Sequence, residues 1–358
     1  MSETFITNKD EKKVSIIIPA YNVSKYLKKQ LSCIRNQTYK NIEILFVNDG
    51  SLDNTFELAQ KLATVEPRLK VFTKQNEGAG SARNYALQRA QGEFIWFYDI
   101  DDEVELDLIA KNVRWMSEYN TDMNMFSFMI NDHGAKQKFK SLFPQRLIEN
   151  NDDLKSIFVD QFLLIPNGNG FLWNKFYRKS FFDKHNIRFE NQRIQQDEVF
   201  NMKCYPILER IYISEDLLYH YELLPNGNTA SKYIHNKEHI LFDVYDQFNF
   251  LFLRWNLLDS RIPIFLERRL IMGLKNVIQY NLFLPTCSLS YGKRYQIMKD
   301  ILKRVDKMKI FETLFNYNSF RIDDFIILKT MQLNNVTLLL CISWCFNKIY
   351  KVIYTFKK

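Results

Sequence analysis

Residues 94–102 read Phe94-Ile95-Trp96-Phe97-Tyr98-Asp99-Ile100-Asp101-Asp102. The short apolar run has the length of a buried strand, and the end of such a strand is where an open α/β sheet presents ligand-binding groups. Three carboxylates within four positions repel one another unless a cation sits among them. Hard oxygen donors suit Mg²⁺ or Mn²⁺, ions that commonly sit on substrate phosphates. The stretch therefore reads as a metal–diphosphate site at a strand end. The competing reading is that the acidic residues cap a helix begun by Glu103-Val104-Glu105-Leu106.

Outward from it, the first half of the chain alternates strand and helix patterns, the mark of a mostly parallel sheet with crossover helices. Strands are predicted at 14–19, 42–47, 69–72 and 93–98. Ser24 is placed to cap a helix carrying Leu27, Leu31 and Ile34, and Asp53 or Ser51 to cap one carrying Phe56, Ala59, Leu62 and Ala63. A third helix is predicted over 82–90. The strands end in polar or small residues, so their ends are expected to line one crevice. Strands follow at 211–214 and 217–221, then a boundary at Pro225-Asn226-Gly227-Asn228. Beyond it, three- and four-residue apolar spacing predicts helices over 240–257 and 264–283. This divides the chain into a domain over 1–230 and a helical, basic region over 231–358.

Composition narrows the class. Of 358 residues, 46% are hydrophobic, enough for a packed core, and 30 Phe and 19 Tyr against 10 Gly imply an aromatic interior. Residues 241–358 hold 18 Lys or Arg against 9 Asp or Glu, while residues 1–240 hold 31 against 32. A basic half suits nucleic acid, an anionic membrane face or an acidic partner. No helix-turn-helix, RNP or zinc spacing speaks for nucleic acid. Cys33, Cys204, Cys287, Cys341 and Cys345 show no CxxC spacing and read as reduced core thiols of a cytoplasmic protein. Met1-Ser2-Glu3-Thr4-Phe5 lacks an export pattern. His235 and His239, four apart, read as a solvated pair. In the tail, the apolar run 336–346 is about half the ~20 residues that span a bilayer. Lys348, Lys351, Lys357 and Lys358 follow among apolar residues, which suits a helix lying on an anionic membrane face or packed on its domain.

Five separated motifs resemble those of the family 2 glycosyltransferases, in the family's order. They are residues 14–22 (VSIIIPAYN), 36–39 (NQTY), 47–51 (VNDGS), 76–84 (NEGAGSARN) and Asp99-Ile100-Asp101-Asp102. The match is close over 13–110 and looser to about 230. The resemblance implies a GT-A fold: α/β, a mostly parallel sheet flanked by helices, here with a helical C-terminal region. It implies a nucleotide-sugar site built by Pro19, Ala20, Tyr21, Asn22, Asn48, Asp49, Gly78 and Arg83. Tyr21 would stack on a base or pack in the core. Asn48 stands where the family usually has aspartate, and its amide oxygen still accepts a hydrogen bond. Gly78 and Gly80 would let backbone approach the ligand. Ala86 replaces a glycine that the family often has.

By the same resemblance, Asp101 ligates Mn²⁺ or Mg²⁺ on the donor diphosphate. Asp99 contacts the ribose, or the metal through water, and Asp102 orients the acceptor or the loop. Asp197 matches the general base, with Gln196 where the family's Glu stands and Glu198 as competitor; capping of a helix is the alternative for Asp197. Trp173-Asn174-Lys175 also matches, with Lys175 near the diphosphate or acceptor and Trp173 there or in the core. The implied activity is inverting transfer of one sugar from a nucleotide donor, a UDP-sugar, to a hydroxyl of a growing, lipid-linked surface polysaccharide such as a capsule. A bacterial, cytoplasmic setting at the inner membrane face goes with it. Processive members carry Gln-x-x-Arg-Trp, where this chain has Leu251 before Arg254-Trp255. Transfer to a polyprenyl phosphate or protein, and nucleotide binding without catalysis, are the alternatives.

Overall fold

The computed structural model describes residues 12–164, 170–224, 233–310 and 322–356. The export reading at residues 1–5, the boundary stretch 225–228, and Lys357 and Lys358 lie outside the described residues. The chain divides into two compact units, Met1–Pro225 and Asn226–Lys358.

In the first unit, strands β1 (Val14–Ala20), β2 (Ile42–Asp49), β3 (Leu69–Lys74) and β4 (Phe94–Phe97) pair in parallel, in the order β3-β2-β1-β4. Helices α1 (Ser24–Arg35), α2 (Thr55–Ala63) and α3 (Ala79–Leu87) form the crossovers. All eight residues of β2 are buried, as expected of a strand covered on both faces. The chain continues through β5 (Glu103–Val104), α4 (Leu108–Glu118), β6 (Met123–Asp132), β7 (Gln137–Ser141), β8 (Arg146–Ile148) and α5 (Asn151–Phe158). It then forms β9 (Lys175–Arg178), α6 (Lys179–His185), α7 (Gln196–Cys204) and β10 (Ile211–Leu223). These extend the sheet as β4-β9-β6-β10-β5, with β9 antiparallel to both neighbours and β6 parallel to β10.

Helix starts differ from the sequence expectation in an informative way. Neither Ser24 nor Ser51 caps its helix by its side chain; Asp53 serves both sites. One Asp53 oxygen accepts from Ser24 N at 3.3 Å and the other from Thr55 N at 3.1 Å. Helix α3 begins at Ala79 rather than 82, because Gly78 at φ +100° turns the chain there. Residues 211–214 and 217–221 are one strand, β10, with register shifts against β6 between Ser214 and Tyr219. The acidic stretch leads into β5, not into a helix.

The second unit is helical among its described residues: α8 (Lys237–Arg254), α9 (Arg261–Gln279), α10 (Tyr291–Lys307), α11 (Ile322–Gln332) and α12 (Val336–Phe356). Helix α9 packs on α8, α11 and α12, and a buried ion pair joins Lys275 of α9 to Asp324 of α11. Cys341 and Cys345 are exposed on α12, beside Leu338 and Trp344, whereas Cys204 and Cys287 are buried. The reading of all five as core thiols is therefore corrected: Cys341 and Cys345, with Leu338 and Trp344, form the outer stripe of their helix. No helix among the described residues is long and apolar enough to cross a membrane.

Candidate active site

The ends of β1, β2 and β3 are tied to one another by short polar bonds. Asn22 adopts φ +55°, donates its N–H to Ser51 Oγ at 2.9 Å and accepts from Leu52 N at 2.8 Å. Asn48 accepts from Ser51 N at 3.1 Å and donates to Thr73 Oγ1 at 3.0 Å. Asp49, 3% exposed, accepts from Gly78 N at 2.8 Å and Glu77 N at 3.1 Å, and pairs with Lys74 at 3.3 Å. Gly50, at φ +67°, lies so close to residue 76 that a Cβ would sit 2.9 Å from Asn76 N. Asp49 thus fastens the loop that leads into α3. Pro19 and Tyr21 stand half-buried beside this rim, and Ala20 is buried.

The acidic loop divides its carboxylates. Asp102, 1% exposed, accepts from Tyr219 Oη and from Glu222 N, each at 2.8 Å, and its backbone oxygen accepts from Tyr98 Oη at 2.5 Å. It fastens the loop to β10. Asp99 and Asp101 remain half-buried. Burial first, and then the charge of Asp99, pushes the Asp101 carboxyl up to about 6, with Lys25 acting in the opposite sense.

Arg83 joins this loop to α7. Its guanidinium, 4% exposed, donates to Asp197 Oδ1 at 2.7 Å and to Asp99 Oδ1 at 3.1 Å. Its buried Nε has no hydrogen-bond partner. Asp197 is the second residue of α7 rather than its cap, which is Gln195 at φ +58°. The first turn of a helix favours the ionised carboxylate, as does Arg83. Burial and then Asp99 prevail over Arg83 and Lys175, so Asp197 holds a proton more readily than an ordinary carboxylate. A carboxylate paired with a cation yet more basic than usual has the properties of a general base.

Contacts that sequence reasoning missed hold α7 in place. Gln196 Oε1 accepts from Gly80 N at 2.6 Å, and a Cβ on Gly80 would lie 2.6 Å from the same atom. Gly80 thereby allows a close approach of the α3 backbone to α7. Asn84 donates to Phe189 O and accepts from Phe189 N, both at 2.9 Å. These contacts span more than 100 positions, and no local pattern announces them. Tyr219 and Tyr221, two apart on one strand face, were the available signal for the partner of Asp102.

Trp173, 2% exposed, stacks on Tyr219 with ring centres 4.3 Å apart, and so belongs to the core. Lys175 is fully buried, donates to Phe171 O at 2.5 Å and Asn174 Oδ1 at 2.8 Å, and is lowered by burial to about 7. Glu198, half-buried, meets Gln195 Nε2 at 3.5 Å and packs against Gly170. Among the described residues no group of three or more His, Cys, Asp or Glu side chains is arranged to hold a metal ion. Asp99 and Asp101 still fit a hard divalent ion, since such ions are commonly held by one or two carboxylates plus substrate phosphates.

Residues 15–189 match the family model described as glycosyl transferase family 2. The glycosyltransferase GlyA of Streptococcus pneumoniae is 29% identical over 245 residues, 66% of this chain and 34% of GlyA. The poly(ribitol-phosphate) beta-N-acetylglucosaminyltransferase TarS of Staphylococcus aureus is 27% identical over 61% of this chain and 37% of TarS. The chain thus spans little more than a third of the length of these relatives. The crystal structure of S. aureus TarS 1–349 in complex with UDP-GlcNAc superposes with a TM-score of 0.59 at 20% identity, over 94% of this chain and 92% of that one. The fold is that of the GT-A enzymes, and the chain carries a glycosyl transferase family 2 domain.

Proposed function

We propose that this protein transfers a single sugar, with inversion, from a UDP-sugar to a hydroxyl of a growing, lipid-linked surface polysaccharide. The observation that carries the reading is the Arg83 guanidinium spanning Asp99 and Asp197, which joins a carboxylate of the acidic loop to a candidate base 114 residues along the chain from Arg83. Relatives add support for the donor class: TarS is described in complex with UDP and with UDP-GlcNAc.

The donor lies along the rim formed by Pro19, Ala20, Tyr21, Asn22, Asn48 and Gly78, with its diphosphate towards Asp99 and Asp101. Those two carboxylates would hold Mn²⁺ or Mg²⁺, which when bound supplies Lewis-acid stabilisation of the departing diphosphate. Asp197 takes the proton from the acceptor hydroxyl as its oxygen attacks the anomeric carbon from the opposite side, which inverts configuration. Arg83 orients Asp197 and favours its anionic form. Asp49 and Asp102 set the loops. The basic second unit suits peripheral contact with an anionic inner membrane face, to be checked by vesicle flotation before and after deletion of 336–358.

The deciding measurement is a thermal-shift screen of nucleotide sugars with Mn²⁺, followed by transfer assays of Asp197→Asn and Asp101→Asn. Donor binding retained with transfer lost in Asp197→Asn is the expected outcome, together with loss of metal-dependent transfer in Asp101→Asn. Full transfer in both variants excludes this mechanism.

A further inference from the structure

One sequence motif, Asn36-Gln37-Thr38-Tyr39, takes no part in the site above, and its contacts explain what it builds. Gln37 is buried; it donates to Glu105 O at 2.8 Å and accepts from Ile109 N at 3.2 Å. Thr38 N donates to Leu106 O at 2.9 Å. The segment following the acidic loop is thereby pinned to the end of α1. Between them lies a groove of about 600 Å³ lined by Lys25, Lys28, Lys29, Ser32, Cys33, Asn36 and Leu106.

Lys25, Lys28 and Lys29 share one helix face, where like charges three and four apart destabilise the helix. Glu103 pairs with Lys29, Lys25 lies 4.5 Å over the Tyr26 ring, and Lys28 makes no ion pair among the described residues. Lysines act as flexible point charges towards phosphate, and Ser32 and Asn36 add neutral donors. Through the Lys29–Glu103 pair and Leu106, the groove opens beside the segment that follows the acidic loop. None of the residues assigned to the donor lines it, so a donor seated on the strand ends leaves it free.

We propose that this groove binds a phosphate group carried by the acceptor, a substrate class that rests on the glycosyltransferase reading above. Such a phosphate belongs either to a lipid diphosphate link or to a phosphodiester in a polymer. Binding of decyl diphosphate and of poly(ribitol phosphate) to the intact protein, measured by calorimetry, separates the two sources.

The expected result is binding of at least one probe, weakened about tenfold in Lys25→Gln/Lys28→Gln, with UDP affinity changed less than about twofold. Binding should also weaken between roughly 50 and 500 mM salt in the native protein, and less so in the variant. Failure of both probes to bind, or equal binding by the variant, overturns the proposal and leaves a solvated lysine face. A parallel fall in UDP affinity overturns it too, by giving the groove to the donor. The transfer assay of Asp197→Asn does not depend on these lysines, so the glycosyltransferase reading stands or falls separately.

Discussion

The end of β2 and the loop after β4 both carry aspartates, and they surround them differently. At the end of β2, Asp49 receives two backbone N–H groups and a lysine. After β4, Asp99 shares one guanidinium with Asp197, and Asp101 sits half-buried beside it with a carboxyl raised to about 6. A carboxylate supplied with N–H donors fastens backbone; carboxylates that must share a cation attract further positive charge. The same residue type thus builds the rim in one region and leaves a place for chemistry in the other.

The sharpest way to break this contrast is at Asp197. Asp197→Asn should lower transfer by about 10²–10⁴-fold while a nucleotide sugar still raises the melting temperature. Next comes Arg83→Met, which strands two carboxylates and should cost about 3–5 kcal/mol of stability by urea unfolding. Adding Asp197→Asn to it should restore part of that loss; a strictly additive double variant would mean that the pair does not interact.

Lys175 gives a pH test. Its folded pKa of about 7 lies below the ordinary 10.5, so between those values the unfolded chain binds more protons than the native one. Stability contributed by this site therefore rises with pH across that window, by on the order of a few kcal/mol, and Lys175→Met should flatten the rise. Asp49→Asn, which turns one acceptor into a donor facing an N–H, should cost about 1–3 kcal/mol without a comparable loss of activity in the folded protein. Loss of activity far beyond loss of stability would move Asp49 into the reactive class. Tyr219→Phe, removing one of the bonds to Asp102, is expected to cost about 1 kcal/mol and is the smallest effect.

What was legible in the chain follows the range of the interactions. Strands β1 to β4 appear as apolar runs, because burial on both faces selects continuous apolar residues. The acidic loop was legible because carboxylate crowding is local. The division of labour within it was not, since Asp102 is told from Asp101 only by Tyr219 and Glu222, far along the chain. The attachment of α7 through Gly80–Gln196 and Asn84–Phe189 was hidden for the same reason. The start of α1 was misassigned because Asp53 reaches across to it from another loop, and that of α3 because Gly78 turns the chain early. Cys341 and Cys345 were misplaced because an apolar run does not reveal which helical stripe faces outward.

Asp53 seats the first turns of α1 and α2 with its two oxygens, so those turns cannot fray independently. Amide protons at residues 24–27 and 55–58 should exchange as one cooperative unit, and Asp53→Ala should release both together. A nucleotide then meets an edge that is already ordered, and little of its binding free energy goes into arranging the protein.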